Sequence, residues 1–415
     1  MKRHRMALTG AVLSLCVALA GCGQKPAETS QAPETTAAGT TKAETTGMPE
    51  PNELGIVTAD QWTDLFPEIV ESYQKNSENS EVENYLELNP EIVTLYEGIG
   101  FSKDYNSARG HSYTLEDISA TARPHPLSNC LACKTPDYVA LMNKYGADFY
   151  SMSFEDALAE VDNAISCYDC HLNSPASGPV ASRPAFLDAT KGADVDPDVL
   201  SCGQCHNEYY FDPDTKEVRH PYTNLEEVSP DKILAYYNEM GFTDYQNPRT
   251  LTNHIKVQHP EYETVMGAGA QNMNLTCADC HMEKVEKSDG TTYTSHYWVS
   301  PVESTAIMES TCVVCHGSVE EVTEKVDKIQ EEITARETEV AGVLVELTEK
   351  LAEAVANGDY TEEELEAIRS LNRDAQFYWD FVYVENSEGA HNSKLSRECL
   401  DKAEELANEA LALFK

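Results

Sequence analysis

Positive charge is scarce in this chain of 415 residues: 30 lysines and arginines stand against 71 aspartates and glutamates, a formal net charge of −41. A nucleic-acid partner leaves a basic patch as its electrostatic footprint, so that class is excluded. Acidity of this kind reads first as surface solvation. Long apolar runs are missing too. The stretch from Ala7 to Ala20 holds about fourteen residues, short of the roughly 20 that a membrane-spanning helix needs. Histidine is sparse at twelve residues, which makes its placement informative.

The amino end reads as an export signal. Lys2, Arg3 and Arg5 precede the short apolar stretch, which closes on Leu19-Ala20-Gly21-Cys22. That ending is a lipobox. It predicts a leader over 1–21, removed before Cys22, and a lipid on the Cys22 thiol that anchors the protein to an outer membrane face. Residues 22–52 are rich in Thr, Ala, Pro and Glu with almost no large apolar side chains. Such a segment buries too little to offset its ordering entropy and is expected to be a disordered tether. The expected location is extracytoplasmic or periplasmic.

The cysteines set the class. Apart from Cys16 in the leader, Cys22 and Cys399, they fall into five CXXC pairs: Cys130/Cys133, Cys167/Cys170, Cys202/Cys205, Cys277/Cys280 and Cys312/Cys315. Four pairs are followed directly by His171, His206, His281 and His316. CXXCH is the attachment signature of c-type haem. Two cysteines three apart can both bond the porphyrin vinyl groups, and the next imidazole is carried to the iron. Zinc ribbons would need closed sets of four thiolates and no histidine after each pair. A disulfide framework leaves those histidines unexplained, and a thioredoxin-type site needs one CXXC rather than five.

One motif departs from the rest: Cys130-Leu131-Ala132-Cys133 is followed by Lys134. A lysine amine ligates iron only when deprotonated, and lysine shifts readily when buried or held near a cation. An unusual proximal ligand is where an open distal position for substrate is expected.

With these motifs the sequence resembles the pentahaem, ammonia-forming cytochrome c nitrite reductases, from about Trp62 to the C-terminus. One CXXCK followed by four CXXCH is highly specific to that family. The flanking words match as well: Arg109-Gly110-His111, the run Cys202 to Tyr210, Lys256 to Tyr262, and Tyr293 to His296. The resemblance implies five haem c groups, with Lys134 as the axial ligand of the active haem and Arg123, Tyr209 and His259 as its catalytic neighbours. It implies a Ca²⁺ site built from Glu208, the carbonyls of Tyr209 and Lys256, and Gln258, oxygen donors of the kind a hard cation prefers. It implies nitrite as substrate, taken to ammonium with six electrons and eight protons, so several haems are needed to relay them.

In that family the four electron-transfer haems carry two histidines each. The resemblance gives His111, His296 and His391 as three of the distal ligands beside His171, His206, His281 and His316. The fourth usual place, eleven residues after His259, is Ala270 here. His254, His220, His125, Met266 and Met273 are the substitutes, with an open site as a further alternative; methionine would raise that haem's potential.

The expected fold is a mainly α multihaem cytochrome c with a haem-packed, loop-rich core and long C-terminal helices. Region 53–317 carries the haems, and 318–415 is helical. Val319, Val322, Val326, Ile329, Ile333, Val340, Val343, Leu347 and Leu351 recur at three and four, one apolar helix face. Gly358 stops that helix, Thr361 and Glu364 form a capping box for the next, and a third runs from about Ser393 to Leu413. In the resembled family such helices form a homodimer interface, and the electron donor is often a small membrane quinol dehydrogenase cytochrome; another redox protein is the alternative. Competing functions are a hydroxylamine or sulfite reductase on the same scaffold, or a pure electron-transfer cytochrome. Cys399 reads as a small buried apolar residue.

Overall fold

Three long helices close the chain, each with a chemical start and stop. The first, Val319–Asn357, begins at Ser318, whose side chain accepts the Glu321 amide, and ends where Gly358 turns left-handed at φ 71°. The second, Glu362–Tyr383, opens on a reciprocal cap: Thr361 N donates to Glu364 Oε2 at 2.8 Å and Glu364 N to Thr361 Oγ1 at 3.3 Å. Asn392 caps the third, Ser393–Ala412. The apolar spacing foretold the first, the capping box foretold the second, and the third was expected from about Ser393 to Leu413. The spacing did not foretell how the first helix divides. Ile333, Val340, Leu344, Leu347 and Leu351 are fully buried, whereas Val319, Val326, Ile329 and Val343 are half-buried. In the second helix every residue from Ala375 to Val382 is buried, as befits a helix enclosed on all sides.

The computed structural model describes residues 47–415 apart from Leu225 and Glu226, and gives no account of the Ala270 side chain. The expected leader, the Cys22 anchor and the tether up to residue 46 lie outside the described residues. Residues Met48–Lys415 form one unit. Ile92, Tyr237 and Tyr262 from the haem-motif region share an apolar cluster with Leu347, Phe377 and Leu400 of the helices. A second cluster, with Leu131, Tyr138, Phe149 and Phe154, underlies the CXXCK segment.

Between these clusters the chain runs as short helices and turns. Three antiparallel strand pairs occur among the described residues. The longest joins Met282–Glu286 to Thr292–Trp298 and directly follows His281. No described helix is long and apolar enough to cross a membrane. The architecture is mainly helical with a loop-rich middle, as the sequence led us to expect.

Candidate active site

Two of the CXXCH motifs are single helical turns, Cys167–His171 and Cys277–His281. Each carries an aspartate at its third position that accepts the amide preceding the first cysteine: Asp169 from Ser166 at 2.8 Å, Asp279 from Thr276 at 3.0 Å. One helical turn sets both thiols on the same side. The eleven described cysteines are free of disulfides. The thiols also neighbour one another across motifs. Cys133 neighbours Cys205, and Cys202 neighbours Cys277. Cys170 interacts electrostatically with Cys202, and Cys280 with Cys312. The motifs therefore form a connected series from Lys134 to His316, with the Cys167 motif branching from the Cys202 motif.

A buried arginine staples three of them. Arg183 donates from Nε to the Ala132 carbonyl at 2.9 Å and from its guanidinium to the Thr135 carbonyl at 3.1 Å and to Asp169 Oδ1 at 2.5 Å. Gln204, inside the Cys202 motif, accepts the amides of Ser182 and Arg183 and donates to the Asp169 carbonyl. Burial pushes the Asp169 carboxyl up, and Arg183 opposes the shift.

The histidines meet in pairs. Ring centroids lie 6.1 Å apart for His111 and His206, 6.0 Å for His171 and His296, and 6.0 Å for His281 and His391. A metal about 2 Å from each facing nitrogen spaces two imidazole centroids by about 6 Å. His281 and His296 give their Nδ1 to the carbonyls of Val299 and Thr294, both at 3.0 Å, which leaves Nε2 as the ligating nitrogen. These residues fit haem irons. His316 differs: it is exposed beside exposed Cys315, and no described aromatic ring packs on it. Of its candidate partners, His220 bonds the Glu208 carbonyl at 3.1 Å and His254 stacks on Tyr245 at 5.3 Å. His125 and Met273 are exposed, and Met266 packs against the main apolar cluster.

Around Lys134 the other expected residues come together. The Thr114 hydroxyl holds the Lys134 carbonyl at 2.8 Å. Among the described residues no carboxylate lies within ion-pair distance of the Lys134 ammonium. Burial, then the charges of Lys134, His206, Lys256 and Arg123, drives His259 well below the usual histidine range. Burial, then Cys133, Cys130 and Glu208, drives Tyr209 well above the usual phenol range, with Arg123 opposing. Arg123 has its guanidinium 4.6 Å over the Phe101 ring and its Nε on Thr121 Oγ1 at 3.0 Å. Gly100 permits this, because a Cβ there would come within 3.1 Å of the Arg123 side chain.

The expected Ca²⁺ ligands also converge. Glu208 is fully buried, and burial holds its carboxyl well above the usual range. It accepts the Gln258 amide at 2.6 Å and the Tyr237 hydroxyl at 2.8 Å, while the Gln258 side chain reaches the Lys256 carbonyl at 2.8 Å. The Glu208 carboxylate, the Gln258 side-chain oxygen and the Lys256 carbonyl are oxygen ligands of the kind a hard cation takes. The Lys256 ammonium is occupied elsewhere: it bonds the Val257 carbonyl at 2.7 Å and buried Asp380 at 3.1 Å, and lies 4.7 Å over Tyr96. Asp380 further accepts Val257 N at 2.9 Å, which pins the segment that carries His259.

Residues 58–415 match the Cytochrome c552 family. The chain belongs to that family. Haem c is accordingly its cofactor. Cytochrome c-552 of Parabacteroides distasonis is 34% identical over 345 residues, covering 77% of this chain and 67% of that protein. The structure of the cytochrome c nitrite reductase catalytic subunit of Desulfovibrio desulfuricans, which has two calcium sites, superposes with a TM-score of 0.76 at 25% identity. It covers 87% of this chain and 86% of its own. The chain is thus a multihaem cytochrome whose fold matches that of the Desulfovibrio nitrite reductase subunit.

Arg183 and Asp380 went unnoticed in the sequence. The first stands in a loop that carries no periodic signal. The second had a signal: an aspartate within Ala375-Gln-Phe-Tyr-Trp-Asp-Phe-Val382 must find a partner if that run is buried.

Proposed function

We propose that this oxidoreductase is an ammonia-forming cytochrome c nitrite reductase, carrying five haem c groups and Ca²⁺. The observation that carries the reading is the convergence of Arg123, Tyr209 and His259 on a motif where lysine replaces histidine. A pure electron relay has no use for such a group. Cys130, Cys133 and Lys134 would hold a haem whose iron would supply the redox chemistry that takes nitrite to ammonium, with the other haems relaying the electrons.

The chain's own residues handle charge and protons. The Arg123 guanidinium, unpaired among the described carboxylates, holds an anionic oxygen as N–O bonds weaken. His259 is neutral at rest, so its ring can hydrogen-bond the substrate without a fixed positive charge. Tyr209 keeps its phenolic proton, and its O–H is available to donate. Glu208, Gln258 and the carbonyls of Tyr209 and Lys256 would hold the Ca²⁺, whose charge offsets that of the buried Glu208 carboxylate. The two calcium sites of the Desulfovibrio enzyme support this assignment. His171 with His296, His206 with His111 and His281 with His391 would hold three relay haems, and His316 would serve the fourth.

The same reading makes the protein an exported, Cys22-anchored homodimer joined through its C-terminal helices. A membrane quinol dehydrogenase cytochrome or another redox protein feeds it. Ammonium formation from nitrite with a reduced viologen dye tests the proposal. The wild type is expected to produce ammonium and Lys134→Ala to lose that activity; no ammonium from the wild type would sink the reading. Arg123→Gln is expected to lower kcat by about 10²–10³-fold, the range for one lost transition-state donor.

A further inference from the structure

The turn after Tyr383 devotes a buried carboxylate to one imidazole. Glu385, 4% exposed, accepts the Nδ1–H of His391 on Oε1 at 2.5 Å. Its Oε2 accepts the Ser387 hydroxyl at 2.5 Å, and Ser387 Oγ accepts the His391 backbone amide at 2.9 Å. Both oxygens are therefore engaged in fixing the ring that faces His281. The other recorded Nδ1 bonds within the pairs, from His281 and His296, go to neutral carbonyls. Glu385 is also in electrostatic contact with buried Glu261 and Glu337.

A carboxylate drawing on the Nδ1 proton gives the imidazole anionic character and makes Nε2 a stronger donor to a metal. Stronger donation and nearby negative charge both favour the oxidised, more positive iron, and so lower a haem's reduction potential. We infer that Glu385, steadied by Ser387, is a positioning residue that makes the His281/His391 haem the lowest-potential member among the three histidine pairs. The inference rests on the reading of His281 and His391 as an axial pair. By the order of the thiols, that haem stands between the Cys202 and Cys312 motifs. Electrons would then pass over a raised step in mid-relay instead of settling there.

The test is a redox titration of the full-length holoprotein, followed by low-spin EPR and visible spectra, for wild type, Glu385→Gln, Ser387→Ala and His391→Ala. Glu385→Gln should move one low-spin haem to higher potential and shift its EPR signal, leaving the other midpoints in place. Ser387→Ala should shift the same haem in the same direction by less, and it serves if Glu385→Gln misfolds. His391→Ala should abolish that low-spin signal. If His391→Ala abolishes it while neither Glu385→Gln nor Ser387→Ala moves a midpoint, the inference fails and the axial reading survives. A uniform shift of all haems also overturns it, since that is only a change of net charge. An intact low-spin complement in His391→Ala overturns the axial reading and the inference with it.

Discussion

The haem-motif region and the C-terminal helices share one apolar cluster yet are held together by different means. The helices rest on continuous stripes such as Ile333, Val340, Leu344, Leu347 and Leu351. The middle rests on single buried polar residues, each serving several segments, as Arg183 serves the Ala132, Thr135 and Asp169 segments. Apolar packing is divided among many side chains, so one truncation is survivable. A polar staple concentrates the load, and losing one partner strands the other in a dry interior.

The strongest way to break this comparison is Arg183→Met, which leaves Asp169 buried and unpaired. It should cost about 3–5 kcal/mol and also reduce the haem-to-protein ratio, readable by pyridine haemochrome assay against thermal melting. A variant with full haem content and an unchanged melt would show that the staple is dispensable. Leu347→Ala in the first long helix should cost about 3 kcal/mol through its cavity, while haem content and ammonium formation per folded molecule stay at wild-type values.

Glu337 sharpens the contrast, being a carboxyl inside the apolar face. Burial, with Glu388 and Glu385 adding to it, pushes it up to about 8. A folded-state value above the unfolded one means the folded chain binds the proton more tightly. The resulting stability is full below about 4.5 and disappears as pH rises towards 8. Denaturant melts of Glu337→Gln should therefore lose part of that decline between pH 5 and 8, with the variant gaining on wild type as pH rises. Parallel profiles for the two would contradict the assignment. The smallest effect is expected from Thr361→Ala, which removes a helix cap worth about 1 kcal/mol and should lower the melting temperature without touching the haem spectrum.

The two regions were also legible to different degrees. In the helices, spacing announced the stripe, Gly358 the stop, and Thr361 with Glu364 the restart. Spacing did not announce that Val326, Ile329 and Val343 would be only half-buried, because the depth of a stripe is set by what packs on it. In the middle, CXXCH and CXXCK named the chemistry, and resemblance named His111, His296 and His391, which the fold brings opposite His206, His171 and His281. The contacts that seat these groups were silent. Lys256 meets Asp380 across 124 positions and Arg183 meets Ala132 across 51, and no local pattern encodes such a pairing. Glu385 lies six residues from His391, but its role emerges only once the turn is folded.

Phe101 has a consequence for supply. A chain with 71 acids and 30 bases offers every arginine many internal suitors, and an arginine claimed by a carboxylate is lost to a small anion from solution. One neutral ring, Phe101, lies near both the Arg123 guanidinium, at 4.6 Å, and the Lys256 ammonium, at 5.3 Å. Its π face attracts a cation without cancelling its charge. On the proposed reading, Phe101 keeps Arg123 ordered yet free for an anion in a protein whose composition would otherwise claim it.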